Sequence, residues 1–260
     1  MIKNFKEYFN LEGRIAIVTG ARRGMGRTHC FALADAGAKV IVSDINNSES
    51  ELVVDEIRER GGEACAIECD ISKKEEVDNL IKKTKEIYER IDILVNNAGV
   101  VDFKNFFDIQ EEDWDRILNI NLKGYFFCSQ AVAEVMKEGG GGSIVNIGSI
   151  AMGQNGVGFP NTVPYVSSKG GIAGMTEAMA VDLATYNIRV NLIAPGIIET
   201  PMIDIIKENE EATKQIISRL PLKRFGKPEE VSTVVLFLAS DASSYMTGSV
   251  INVDGGWLTT

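Results

Sequence analysis

Arg14-Ile-Ala-Ile-Val-Thr-Gly20-Ala-Arg-Arg-Gly24-Met-Gly26 is the stretch from which the architecture can be worked out. Residues 14–19 are a short apolar run rich in β-branched side chains, the mark of a buried strand. Three glycines then fall within seven residues, and helical periodicity sets in over 24–36. Strand, glycine turn and helix make a βα unit, and the same alternation continues outward from it. Apolar runs rich in Val and Ile recur at 39–44, 64–68, 93–96, 143–147, 189–194 and 250–253. Helical periods fill 48–60, 73–89, 111–137, 165–186 and 228–238. Continuously apolar strands alternating with helices predict a parallel sheet covered on both faces. Right-handed crossovers then make it an α/β, doubly wound sheet of about seven strands.

No linker, repeat or low-complexity tract divides residues 1–260, which read as a single dinucleotide-binding and catalytic domain. The four-glycine run at 139–142 lies between a helix and a strand, where a tight turn is needed. The long stretch 148–164, rich in Gly, Pro and Asn, follows a strand's C-terminal end, the place where open α/β sheets bind ligands. A second insertion, 199–220, begins Glu-Thr-Pro-Met and turns helical, as a substrate lid would.

Net charge is −10 and the sequence pI about 4.8, which argues against binding nucleic acid or an anionic membrane surface. No run of about 18 apolar residues provides a membrane span, and residues 1–13 lack the apolar stretch of a signal peptide. The chain reads as cytoplasmic. Cys30, Cys65, Cys69 and Cys128 are scattered and read as buried free thiols. With His29 the one histidine, no metal site is expected, and His29 itself reads as a packing or surface residue.

The glycine turn admits close approach of a pyrophosphate, and the following helix N-terminus supplies N–H groups and a favourable dipole. Asp44 ends the second strand, 24 residues beyond Gly20, at the spacing of an acid that bonds the adenosine ribose hydroxyls. A carboxylate there accepts from the ribose diol and repels a 2′-phosphate, so NAD is expected over NADP. Arg22 and Arg23 could pair with that phosphate but are expected to swing into solvent. Tyr165 and Lys169 lie four apart at the start of a helix and so share one face. An ammonium beside a phenol stabilises phenolate, which suits proton transfer near working pH. Asn121 falls inside the helical period 111–137, a poor position for Asn and a hint of a side-chain task.

Thr19-Gly-Ala-Arg-Arg-Gly-Met-Gly26, Asp70 in Glu-Cys-Asp-Ile-Ser, Asn96-Asn-Ala-Gly99, Asn121 in Asn-Ile-Asn-Leu-Lys-Gly, Ser149 in Asn-Ile-Gly-Ser-Ile, the Tyr165/Lys169 pair and Pro195-Gly196 occur in that order. Together they resemble the short-chain dehydrogenase/reductase family in its compact single-domain form, over residues 11–257. The resemblance implies a Rossmann-type fold, with Tyr165 as acid/base and Lys169 holding the nicotinamide ribose and lowering the tyrosine pKa. It implies that Ser149 grips the substrate oxygen and that Asn121 anchors a water linking the lysine to solvent. For the cofactor it implies Gly20, Arg23, Gly24, Met25 and Gly26 at the pyrophosphate, Asp44 at the ribose, and Asp70 with Ile71 at the adenine. Asn97, Ala98 and Gly99 would line the adenosine ribose, and Pro195, Gly196, Ile198 and Thr200 would hold the nicotinamide amide and pyrophosphate.

A homotetramer assembled through helices 111–137 and 165–186 and the C-terminal segment is the family's usual state. The expected reaction is reversible, NAD-linked oxidation of a secondary alcohol to its ketone. Fifteen residues separate Ser149 from Tyr165, a longer loop than many relatives carry, so the substrate is not transferable. A 3-oxoacyl thioester reductase and a sugar or polyol dehydrogenase remain alternatives. Gln154, Asn155 and Asn161 would suit hydroxyls, whereas Met202, Ile203, Ile205 and Ile206 would suit an apolar alcohol. A cofactor-binding regulator without catalysis is the remote alternative.

Overall fold

Every residue of β1 (Ile15–Thr19) and of β4 (Ile93–Asn96) is buried, as strands covered on both faces require. With β2 (Lys39–Asp44), β3 (Glu63–Glu68), β5 (Gly142–Ile147), β6 (Ile188–Pro195) and β7 (Val250–Val253) they form one parallel sheet of order β3-β2-β1-β4-β5-β6-β7. The structure is a computed structural model that describes residues 4–153, 156–204 and 208–259.

Alternate strand residues face opposite layers. Val18, Val40 and Val42 pack with Leu33 of α1 (Gly24–Asp35), Ile57 of α2 (Asn47–Glu59) and Val235 of α8 (Pro228–Ala239). Ile17 and Ile41 pack on the other side with Leu80 of α3 (Lys74–Tyr88), Tyr125 of α5 (Gly124–Gly139) and Ile172 of α6 (Val163–Leu183). β1 is flanked by β2 on one side and β4 on the other, so the winding reverses between β1 and β4. That reversal splays the connections apart and leaves a crevice at the strands' C-terminal ends.

The structure departs from the expected elements in three places. The helical period 111–137 is broken into α4 (Glu111–Leu118), a π-helical turn (Asn119–Lys123) and α5. α6 starts two residues earlier than expected, because Pro164 falls in its first turn, where no backbone donor is missed. β6 extends through Pro195, whose carbonyl accepts the Ile150 N–H at 3.0 Å and anchors the long loop. The glycine run behaves as expected, Gly140 closing α5 in the left-handed region at φ 91°.

The loop and insertion meet over the C-terminal edge. Ile150, Ile203, Leu220, Phe225 and Trp257 form a third apolar cluster, with Phe159 stacked on Trp257 at 6.0 Å. Of the insertion, α7 (Glu210–Arg219) is helical and Met202 is exposed, while Ile203 is buried in this cluster. Ile205, Ile206, Gln154 and Asn155 lie outside the described residues. Asn161 is an exposed turn residue at φ 62°, bonded through its carbonyl to the Lys104 N–H.

Candidate active site

A cleft of about 580 Å³ opens over the crossover between β1 and β4. Its floor is the glycine turn. A Cβ on Gly26 would lie 2.2 Å from the Gly20 carbonyl oxygen, and one on Gly20 would lie 2.6 Å from the Ala98 Cα. Both positions therefore exclude any side chain. Asn97 holds the turn from behind, donating through Nδ2 to the carbonyls of Thr19 (2.9 Å) and Gly20 (3.0 Å). Thr19 Oγ1 in turn accepts from the N–H groups of Asn97 and Ala98 at 3.1 and 3.2 Å. At the start of α1 the N-cap is Arg23, which has no side-chain acceptor, so the helix's first N–H groups face the cleft uncapped. A cradle closed to side chains, over a helix N-terminus with no carboxylate in its first turn, fits the pyrophosphate of a dinucleotide.

Asp44 and Asp70 border the same cleft. Asp44 is 8% exposed. Its Oδ1 accepts from the Ile45 N–H at 2.8 Å and its Oδ2 from the Arg22 N–H at 3.3 Å. Arg22 does not swing into solvent as expected. Its Nε sits 3.1 Å from Asp44 Oδ1 and its Nη1 donates to Glu49 Oε2 at 2.6 Å. Two carboxylates hold the guanidinium, whereas Arg23 is exposed. Half-buried Asp70 accepts from the N–H and hydroxyl of Ser72. Burial pushes its pKa up, but the Ser72 hydrogen bonds and Lys73 outweigh it, and the carboxyl stays below its usual range. Ile71 is buried beside it and packs on Gly124.

The second cluster joins β5 to α6 and the π-turn. Ser149 follows β5; its Oγ accepts the Ala151 N–H at 3.0 Å, and its hydroxyl is near enough to the Tyr165 phenol to lower that group's pKa. Lys169, one turn along α6, is 3% exposed. Its Nζ donates to the Ile147 carbonyl at 2.8 Å and lies 5.6 Å from the centroid of the Tyr165 ring and 5.5 Å from that of Tyr125. Asn121 uses both ends of its amide. Oδ1 accepts the Val100 N–H at 2.9 Å, and Nδ2 donates to the Val100 carbonyl at 2.9 Å and to Ser168 Oγ at 3.1 Å. Val100 also lines the cleft, so Asn121 ties the two clusters together. A Cβ on Gly99 would sit 3.4 Å from Asn121 Oδ1 and 3.8 Å from Lys169 Nζ, which places the three around one point.

The electrostatics differ from the expectation that the ammonium depresses the phenol. Burial holds the Tyr165 pKa above its ordinary value, and the Ser149 hydrogen bond opposes this only in part. Burial also brings Lys169 down to about 7, so the cation that was to stabilise phenolate is itself destabilised.

Twelve of the expected cofactor residues line the cleft, from Gly20 through Gly99 to Thr200. Tyr165, Lys169, Pro195, Gly196 and Ile198 are not on its lining. Gly196 packs on Asp254, where its Cβ would lie 2.7 Å from the Asp254 Cα, and Ile198 is 5% exposed against Gly226. Sequence reasoning missed Tyr125, Ser168 and Glu49. Tyr125 and Glu49 carry no local pattern that sets them apart; Ser168 lies inside the Tyr-Val-Ser-Ser-Lys run, where its spacing from Asn121 is invisible.

A family model described as enoyl-(acyl carrier protein) reductase matches residues 20–258. The chain belongs to the short-chain dehydrogenase/reductase family and is an oxidoreductase acting on CH–OH donors. It is 43% identical over 247 residues to a 3-oxoacyl-[acyl-carrier-protein] reductase of Thermotoga maritima, covering 95% of this chain and 98% of the relative. Among solved structures it resembles a 7α-hydroxysteroid dehydrogenase complexed with NADH and 7-oxo glycochenodeoxycholic acid (38% identity, TM-score 0.93, 98% of each chain). It also resembles a gluconate 5-dehydrogenase from Burkholderia cenocepacia in complex with NADP and tartrate (32% identity, TM-score 0.94, 99% of this chain and 100% of the other).

Proposed function

We propose that the chain interconverts a secondary alcohol and its ketone with NAD, Tyr165 exchanging the proton. The carrying observation is the grouping of Ser149, Tyr165 and Lys169: Ser149 lowers the pKa of the Tyr165 phenol, and the buried Lys169 Nζ lies 5.6 Å from the centroid of the Tyr165 ring and close to Gly99, which lines the glycine-floored cleft. In oxidation, the Ser149 hydroxyl donates to the alcohol oxygen while Tyr165, as phenolate, accepts the alcohol O–H and takes its proton as the carbinol C–H bond breaks. In reduction, the neutral phenol gives its proton to the carbonyl oxygen. A nicotinamide bound in the cleft would supply the hydride acceptor for oxidation and the hydride donor for reduction. Lys169 holds the ribose beside Tyr165, and Asn121 keeps Val100 and the π-turn in register with the cleft.

Asp44 supports NAD, since its buried carboxylate offers an acceptor to a ribose hydroxyl and repels a 2′-phosphate. For the substrate, the apolar cluster of Ile150, Ile203 and Trp257, which begins at the residue after Ser149, favours an apolar alcohol over a polyol. The test is initial-rate turnover of polyols, cyclic alcohols and 3-oxoacyl thioesters, each with NAD(H) and NADP(H). The expected result is NAD-linked turnover of an apolar alcohol. A tenfold higher kcat/KM with NADP would overturn the cofactor reading. Tight NAD binding with no turnover of any class would make the chain a regulator.

A further inference from the structure

We propose that Glu49 is a positioning residue for cofactor choice: by pairing with Arg22 it withholds that guanidinium from a 2′-phosphate. The inference rests on the reading that the cleft takes NAD with Asp44 at the ribose. Arg22 lies on the cleft lining and is only 19% exposed at its side chain. It sits on Asp44, the carboxylate read at the ribose, and a guanidinium there would fork onto the oxygens of an extra phosphate through parallel N–H donors. Its Nε is taken by Asp44 at 3.1 Å, and its Nη1 by Glu49 Oε2 at 2.6 Å.

Glu49 is not a loose surface acid. Its other oxygen, Oε1, accepts from Asn46 Nδ2 at 2.8 Å, and its N–H donates to Asn46 Oδ1 at 3.2 Å, which caps α2. The capping geometry thus aims a carboxylate at Arg22. One guanidinium between two carboxylates leaves a net negative corner, and a 2′-phosphate would have to displace Glu49 to reach Nη1. Remove that charge and Arg22 keeps Asp44 through Nε while its Nη edge becomes available. Asp44 therefore supplies the acceptor, and Glu49 disarms the arginine that would otherwise offset it.

The test is a double-mutant cycle read in binding: Kd for NADH and for NADPH, by fluorescence titration, of the wild type, Glu49→Gln, Arg22→Ala and the double variant. Gln keeps Oε1 as acceptor for Asn46, and a ratio of two Kd values does not depend on the fraction of folded protein. We expect Glu49→Gln to shift the NADH-to-NADPH ratio toward NADPH by about tenfold when Arg22 is present. With Ala at position 22, we expect the same substitution to shift it by less than about threefold. A shift below about threefold with Arg22 present would overturn the proposal, and so would an equal shift in both backgrounds, which would be Glu49 acting by its charge alone. The wild-type ratio judges the NAD reading separately: tighter NADPH binding there would refute Asp44 as selector, while the cycle still decides the role of Glu49.

Discussion

Lys169 carries a positive charge in surroundings that disfavour one. It is buried, its ammonium donates to a single carbonyl, and its pKa falls to about 7. An unfolded lysine titrates near about 10.4. Between these values the unfolded chain binds a proton that the native protein does not, so this group makes stability rise with pH, by up to about 1.4 kcal/mol per unit. Lys169→Met removes the contribution. The wild type should therefore gain on the variant as pH increases from about 7 to about 9 in cofactor-free denaturant titrations; parallel curves would show that the lysine is not destabilised. The Tyr165/Lys169 pair could be read from the sequence because a spacing of four fixes a shared helical face. The acceptor on Ile147, 22 residues away, and the clamp on Arg22 could not, because each depends on a strand or helix folding back from elsewhere.

The π-turn shows the same limit in an element. Asn119-Ile-Asn-Leu-Lys123 has a helical apolar pattern, and nothing local calls for a wider turn. What holds it is tertiary: Asn121 is fully buried and bonds Val100 and Ser168, contacts available when the helix widens at this point. The poor helix propensity of Asn was the one sequence signal, and it marked a residue with a task. α6 likewise shows one face that the sequence could only partly explain. Ile172, Ala173 and Ala180 are buried in the core, whereas Gly174, Ala178 and Val181 form an exposed stripe, with Val181 77% exposed. On α5, Phe126 is 44% exposed. Small and apolar residues facing outward on these two helices support assembly through them. We therefore expect a homotetramer, by light scattering coupled to size exclusion; a monomer at micromolar concentration would refute it.

Across the whole molecule, the seven β-branched runs and the helices between them were enough to predict a doubly wound sheet, because a parallel strand buried on both faces has no polar alternation to hide it. The reversal between β1 and β4 then sets where a ligand goes, and the glycine turn, Asp44, Asp70 and Asn97–Gly99 converge there from four separate connections. The loop and insertion above the edge were harder to read, since their packing is set by Phe159, Ile203 and Trp257 meeting across long sequence distances. The account depends most on the Tyr165 phenol, so its central measurement is turnover by Tyr165→Phe alongside NADH binding to the same protein. We predict a loss of at least about a hundredfold in kcat with the NADH Kd within about twofold of wild type. A variant that keeps more than a tenth of wild-type turnover would contradict the account.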